Sequence, residues 1–238
     1  MEDSFRVAAV QMVSSPQLED NLARAYALLK KARQQGAELV VLPENFALFS
    51  SAQLVDYARA ECEASGAIRS LLSRSARELG IWLVGGAIPI ADSPDPQRVY
   101  SSCLIYDDKG ELRARYNKIH LFDVDVADAT GSYRESASYY PGSEVALVET
   151  PFGRMGVGIC YDLRFPELFR QLFNLGAELV VLPSAFTRVT GQAHWMPLLR
   201  ARAIENQCTL IAANQGGIHD PLRETYGHSC IISGWGRC

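Results

Sequence analysis

The sequence predicts an internally duplicated α/β domain with two sheets. The first observation behind this is a repeated octapeptide, Gly-Ala-Glu-Leu-Val-Val-Leu-Pro, at residues 36–43 and again at 176–183. The second is that each copy follows an apolar strand-like run and then a helix, which makes two β-α-β units. The third is size: 238 residues with 48% hydrophobic content can bury a full core, and the chain reads as a single domain over residues 1–238.

Each element follows from local pattern. Residues 5–12 (FRVAAVQM) are mostly apolar without helical periodicity and read as a buried strand. In residues 17–35, Leu18, Leu22, Ala25, Leu28, Leu29 and Ala32 recur at three- and four-residue steps, with acids early and bases late, until Gly36 stops the helix. Residues 37–42 form a run short enough to be a strand buried on both faces, as in a parallel sheet. Residues 53–62 and 67–80 read as surface helices, 81–88 as a core strand, and 91–97, with two prolines, as a loop. Residues 99–106 and 111–116 are strands joined by Asp-Asp-Lys-Gly, a hairpin signal. Residues 124–142 lack periodicity and are rich in Asp, Ser, Gly and Tyr; a loop that long inside a domain is usually functional. A second hairpin at 144–150 and 154–159 feeds Cys160. A helix follows from Pro166 to about residue 175, then the second octapeptide, a connection over 184–191, a helix over 192–206 and a strand over 208–213.

Composition excludes several classes of function. A net charge of −4 leaves no basic stripe, which argues against nucleic acid and anionic membrane surfaces as partners. No apolar run approaches the roughly 20 residues of a membrane helix. The acidic start leads directly into a strand and is unlike a secretory signal, so a cytosolic location is expected. Cys62, Cys103, Cys160, Cys208, Cys230 and Cys238 are scattered without a Cys-x-x-Cys pair. They are expected as free thiols, with no ligand set for zinc, and no cofactor is implied.

Cys160 stands at a strand-to-helix elbow. Gly156-Val-Gly158-Ile runs into the polar Tyr161-Asp-Leu-Arg164, and Pro166 with Glu167 starts the next helix. Hydrolases expose a nucleophile on such a turn, where the backbone N–H of the next residue, here Tyr161, helps bind an oxyanion. A buried core cysteine is the commoner fate of a free thiol, but core packing does not ask for Tyr-Asp-Leu-Arg directly after it. An unperturbed thiol is only a few per cent thiolate at neutral pH, so a base or a nearby cation is needed. Glu44, at the end of the strand over 37–42, can take the proton and later activate water. Lys118, just past the first hairpin, can favour thiolate and neutralise the oxyanion. In open α/β sheets ligands gather beyond the carboxyl ends of strands, where Glu44 and Cys160 both sit.

Three separated motifs resemble those of the nitrilase, or carbon–nitrogen hydrolase, superfamily over essentially the whole chain. They are Leu42-Pro-Glu44-Asn, Tyr116-Asn-Lys118-Ile-His and Gly158-Ile-Cys160-Tyr-Asp-Leu-Arg164-Phe-Pro-Glu. The resemblance implies an α-β-β-α sandwich and a Glu-Lys-Cys triad: Glu44 as general base, Lys118 as oxyanion stabiliser and Cys160 as nucleophile. Glu135 matches the position of a residue that orients the lysine. Residues 184–186, 190–195 and 199–208 are similar to the Nit branch, whose deaminated glutathione amidases and ω-amidases cleave an amide next to an anionic acyl chain. That implies a small-molecule amide substrate and a homodimer. Ser233-Gly234 departs from the family, where Asp-Pro is usual.

Two further expectations concern recognition and assembly. Arg164 is either an internal clamp on Asp162 or Glu167 or a receptor for a substrate carboxylate, with Phe186 and Thr190 as wall and hydroxyl of the same pocket. The helix after Cys160 carries Phe165, Leu168, Phe169, Leu172, Phe173 and Leu175, a wider apolar arc than one sheet contact requires, and is expected to meet a partner subunit. A Cys-His hydrolase is the rival enzyme, with His120, His194 and His228 available. His194 and Trp195 read as packing and capping residues. A binding scaffold or a redox-sensing thiol are the readings from other classes.

Overall fold

The two octapeptide copies lie inside two separate sheets in the computed structural model, which describes residues 4–50 and 54–238. In the N-terminal half, β1 (Val7–Ala9) passes through α1 (Leu18–Gln34) to β2 (Leu39–Val41). Next come α2 (Leu54–Ala60), α3 (Ala67–Leu79), β3 (Trp82–Val84), β4 (Ile88–Ile90), β5 (Tyr100–Tyr106) and β6 (Leu112–Asn117). β2 pairs in parallel on both sides, Leu39 facing Val7 of β1 and Trp82 of β3, while β3, β4 and β6 run antiparallel to β5. A small antiparallel ribbon, β7 (Asp123–Asp125) with β8 (Ser132–Arg134), links the halves.

The second half repeats the plan. β9 (Leu147–Thr150), β10 (Gly153–Val157), α4 (Pro166–Asn174), β11 (Leu179–Ser184), α5 (Arg188–Asn206) and β12 (Thr209–Asn214) follow in order. Leu179 of β11 faces Met155 and Thr209 in parallel neighbours, as Leu39 does in the first sheet. β13 (Gly216–Ile218) and β14 (Glu224–Tyr226) form a second ribbon, and β15 (Cys230–Ile232) pairs antiparallel with β12.

The octapeptide does the same structural job twice. Gly36 and Gly176 leave their helices at φ of 87° and 88°, a left-handed conformation that glycine adopts without Cβ strain. The glutamate then braces the neighbouring strand in both directions. Glu38 donates its N–H to Arg6 O (2.8 Å) and accepts from the Arg6 N–H (3.2 Å) through its carboxylate; Glu178 does the same with Arg154 (2.8 and 2.8 Å). In the apolar run that follows, alternate side chains take opposite faces. Leu39 and Val41 pack in one cluster with Met155, Val157, Leu179 and Val181, so the two sheets meet face to face. Val40 and Leu42 pack with Leu29, Ile68 and Leu72 of α1 and α3. Leu168, Phe169, Leu172 and Leu199 of α4 and α5 join the C-terminal sheet. The four layers are therefore α-β-β-α, as the resemblance implied.

Three elements differ from their sequence reading. The run over 81–88 is broken at Gly85-Gly86, and the pairing to β5 slips by one residue between β3 and β4. Gly86 has φ of 60°, and a Cβ there would come within 2.3 Å of Pro43 O. This close approach lets Ala87 bridge Glu44, and Asn45 N–H bonds Ala87 O at 3.1 Å. The stretch over 124–142 is not wholly loop: it holds parts of β7, all of β8 and a 3-10 turn, Glu135–Ala137. Finally, α5 starts at Arg188 instead of 192, because the Thr187 hydroxyl accepts the Thr190 N–H (3.3 Å) as an N-cap. Of the predicted helix over 53–62, residue 53 lies outside the described residues.

Candidate active site

Three strand ends carry the groups the sequence singled out, and the fold brings them together. Glu44 follows β2 and is fixed by its bridge to Ala87 and by Gln215, whose side-chain amide donates to Glu44 O (3.1 Å). Lys118 follows β6, and its Nζ donates to Glu44 Oε1 and to both oxygens of Glu135, each at 2.9 Å. Glu135 opens the 3-10 turn and is held in turn by the Phe122 N–H (2.6 Å). Cys160 follows β10 and has φ of 47°, a left-handed strain that a non-glycine residue keeps only where its surroundings enforce it. Lys118, Glu44 and Cys160 are 2%, 4% and 7% exposed, so their charges act at short range with little screening by water.

The charges in this cluster depend on one another. Burial alone would pull the Lys118 ammonium down, but the Glu135 and Glu44 carboxylates outweigh it and hold the pKa well above that of an ordinary lysine. Burial pushes Glu135 up, against the pull of Lys118. Burial also pushes the Cys160 thiol well above its usual range; the Glu44 carboxylate adds to this, and Lys118 opposes it. The expectation that Lys118 favours thiolate is thus correct in sign but outweighed. Burial and the nearby Glu44 carboxylate thus both favour the neutral thiol over the thiolate.

The cluster opens into a cavity of about 510 Å³. Tyr161, Phe186 and Thr190 line it, together with Glu44, Lys118, Glu135 and Cys160. Arg164 does not. Its guanidinium lies 5.8 Å from the Tyr161 ring centre and 5.7 Å from that of Phe186, with Nη2 3.3 Å from His194 Nδ1. Neither sequence reading of Arg164 fits this place. The clamp on Asp162 is pre-empted, because that buried carboxylate accepts from Tyr116 Oη (2.7 Å), Ile159 N (2.9 Å), His120 N (3.1 Å) and His120 Nδ1 (2.6 Å). The receptor role is not supported, because Arg164 is absent from the residues that line the cavity.

Over residues 6–238 the chain matches the family model described as carbon-nitrogen hydrolase. The chain belongs to this family. Similar proteins include a deaminated glutathione amidase of Yersinia enterocolitica, 45% identical over 97% of this chain and 80% of its own length. Omega-amidase NIT2-B of Xenopus laevis is 40% identical over 98% of this chain and 82% of its own. Among solved structures, a mutant amidase from Nesterenkonia sp. AN1 shows the result of Michael addition of acrylamide at its active site cysteine. It superposes with a TM-score of 0.82 at 28% identity, covering 98% of this chain and 87% of that one.

In this carbon–nitrogen hydrolase the Asp162 brace explains why polar residues directly follow Cys160. Asp162 ties the 3-10 turn Cys160–Arg164 to the Lys118 strand through Tyr116 and His120, and the His120 ring stacks on Phe165 at 3.6 Å and 8°. His120 is therefore committed to Asp162, and it is absent from the cavity lining, which removes it as a base for Cys160. Trp195 is fully buried in mid-helix and donates to His228 O (2.9 Å), a packing role. Sequence reasoning missed Phe49, Tyr133, Tyr139, His219 and Arg223, all of which line the cavity. Only the long stretch over 124–142 signalled any of them. Among the described residues no group of three or more His, Cys, Asp or Glu is placed to hold a metal ion, and no helix is long and apolar enough to cross a membrane.

Proposed function

We propose that this carbon–nitrogen hydrolase cleaves a linear amide through an acyl-thioester on Cys160, and that its substrate is a carboxylate-bearing amide such as deaminated glutathione, N-(4-oxoglutaryl)-cysteinylglycine. One observation carries the reading: a buried ammonium, Lys118, is clamped between Glu44 and Glu135 next to a strained cysteine elbow. The thiol proton passes to Glu44 as sulfur attacks the amide carbon. The resulting oxyanion is met by Lys118 Nζ and the N–H of Tyr161. Glu44 then returns the proton to the leaving nitrogen, and the C–N bond breaks. Water, deprotonated by Glu44, hydrolyses the thioester and restores the thiol. Glu135 holds the ammonium in place throughout, and Tyr161, Phe186 and Thr190 form the wall on the cysteine side, with Arg164 supporting that wall from behind.

The Yersinia relative supports deaminated glutathione, and the Xenopus relative supports a second reading, an ω-amidase acting on 2-oxoglutaramate. A panel of deaminated glutathione, 2-oxoglutaramate, neutral aliphatic amides and nitriles decides. Deaminated glutathione is expected to give the highest kcat/KM, and a preference for neutral amides or nitriles would overturn the assignment. We place the protein in the cytosol, where its thiols stay reduced, as a homodimer.

A further inference from the structure

Three cations line the cavity, and two of them are already committed. Lys118 is bound by Glu44 and Glu135, and Arg134 is bound by Asp125 (2.8 Å). The third, Arg223, is half-buried and in no ion pair among the described residues. Its guanidinium carbon lies 5.2 Å from the ring centre of Phe49 and 5.2 Å from that of Tyr133. The neighbouring Asp220 carboxylate accepts the backbone N–H groups of Leu222 (2.8 Å) and Arg223 (2.9 Å), not the guanidinium. Both rings are anchored. Phe49 stacks on His219 at 3.6 Å and 7°, and Tyr133 donates its hydroxyl to Asp128 (2.9 Å). A guanidinium fixed by its contacts with two rings keeps its planar fork of N–H donors for a carboxylate.

The side of the cavity on which Arg223 stands is informative. In amide cleavage Glu44 must protonate the departing nitrogen, so the leaving group lies on the Glu44 side of the sulfur. Phe49, five residues beyond Glu44 in the same segment, contacts Arg223. The same wall is tied to Glu44 by hydrogen bonds: His219 Nδ1 to Ser14 O (2.7 Å), Ser14 N to Gln215 Oε1 (3.1 Å), and Gln215 Nε2 to Glu44 O. Tyr161, Phe186 and Thr190 come from the segments around and beyond Cys160.

We propose that Arg223 is the receptor for a carboxylate on the leaving amine, which selects amides that release an amino acid or peptide over primary amides that release ammonia. The proposal rests on the amidase reading above and assigns the leaving-group subsite of that same cavity. A bidentate, partly desolvated guanidinium–carboxylate pair changes kcat/KM by roughly 10²-fold.

The test compares deaminated glutathione, which releases cysteinylglycine, with 2-oxoglutaramate, which has a similar acyl group and releases ammonia. Arg223→Met is expected to lower the ratio of their kcat/KM values by roughly 10²-fold, with Arg223→Lys recovering only part of it. Equal losses on both substrates, or no change in the ratio, would overturn the proposal. A binding arm separates this from failure of the amidase reading. Calorimetry on Cys160→Ala protein is expected to show cysteinylglycine binding at least roughly tenfold more tightly than its C-terminal amide, and that preference should vanish on adding Arg223→Met. If the preference survives without the arginine, the receptor is elsewhere, whatever the enzyme hydrolyses.

Discussion

At the residue scale, the account makes each member of the buried cluster depend on the others. Cys160→Ala should abolish turnover, and Glu44→Gln and Lys118→Ala should each lose roughly 10²-fold or more in kcat while the protein stays folded. Near-wild-type kcat in folded Glu44→Gln would return the leading place to a histidine base. The electrostatics add a second expectation. Burial and the Glu44 carboxylate raise the Cys160 pKa, so near neutral pH the wild-type minus Cys160→Ala difference spectrum should lack thiolate absorbance. Removing the negative charge in Glu44→Gln should let the thiol ionise at lower pH than in the wild type. A thiolate band in the resting wild-type enzyme would contradict this. Glu44, Lys118 and Cys160 were legible because each stands just past a strand and within a short motif. Arg164 was misread, since spacing from Cys160 does not say which way a guanidinium points, and here it lies against Tyr161 and Phe186. Arg223, Phe49 and Tyr133 meet only through tertiary structure, across segments more than 80 residues apart, and carry no local signal.

At the scale of elements, the break at Gly85-Gly86 connects backbone conformation to catalysis. Gly86→Ala places a Cβ against Pro43 O in a residue with positive φ, so it should destabilise the fold by about 1–3 kcal/mol or more and displace Glu44. Gly80 also has positive φ, 58°, but a Cβ there meets nothing within 4 Å. Gly80→Ala should cost about 1 kcal/mol and leave kcat unchanged. Denaturant unfolding and kinetics on both variants test the contrast, and equal effects on kcat would remove the break from the account. The sequence pattern over 81–88 reads as one strand because its apolar residues are continuous. The slip depends on a backbone approach from Pro43 that no pattern encodes. The structure over 124–142 was equally hidden, because β7 and β8 are three residues each and have half-exposed or exposed faces. The octapeptide was the opposite case: both copies build equivalent strands, and the paired Arg6–Glu38 and Arg154–Glu178 hydrogen bonds account for its glutamate.

At the scale of the whole molecule, duplication was readable because each sheet's strand is buried on both faces and so must be apolar throughout, whereas the meeting of the two sheets needed the structure. Part of the apolar arc on α4 is used internally: Leu168, Phe169 and Leu172 are buried, and Phe165 stacks on His120. Phe173 and, one residue past the helix, Leu175 remain 39% and 49% exposed. Light scattering should therefore give a dimer at micromolar concentration, and Phe173→Glu with Leu175→Glu should shift it to monomer; a monomeric wild type would count against this face as an interface. The claim that unites all three scales is covalent catalysis at Cys160. Its most direct test is intact-protein mass spectrometry on acid-quenched enzyme during turnover of deaminated glutathione. The account predicts a 2-oxoglutaryl thioester on Cys160, accumulating when Glu44→Gln slows its hydrolysis. Turnover with no acyl adduct, or an adduct on another residue, would contradict it.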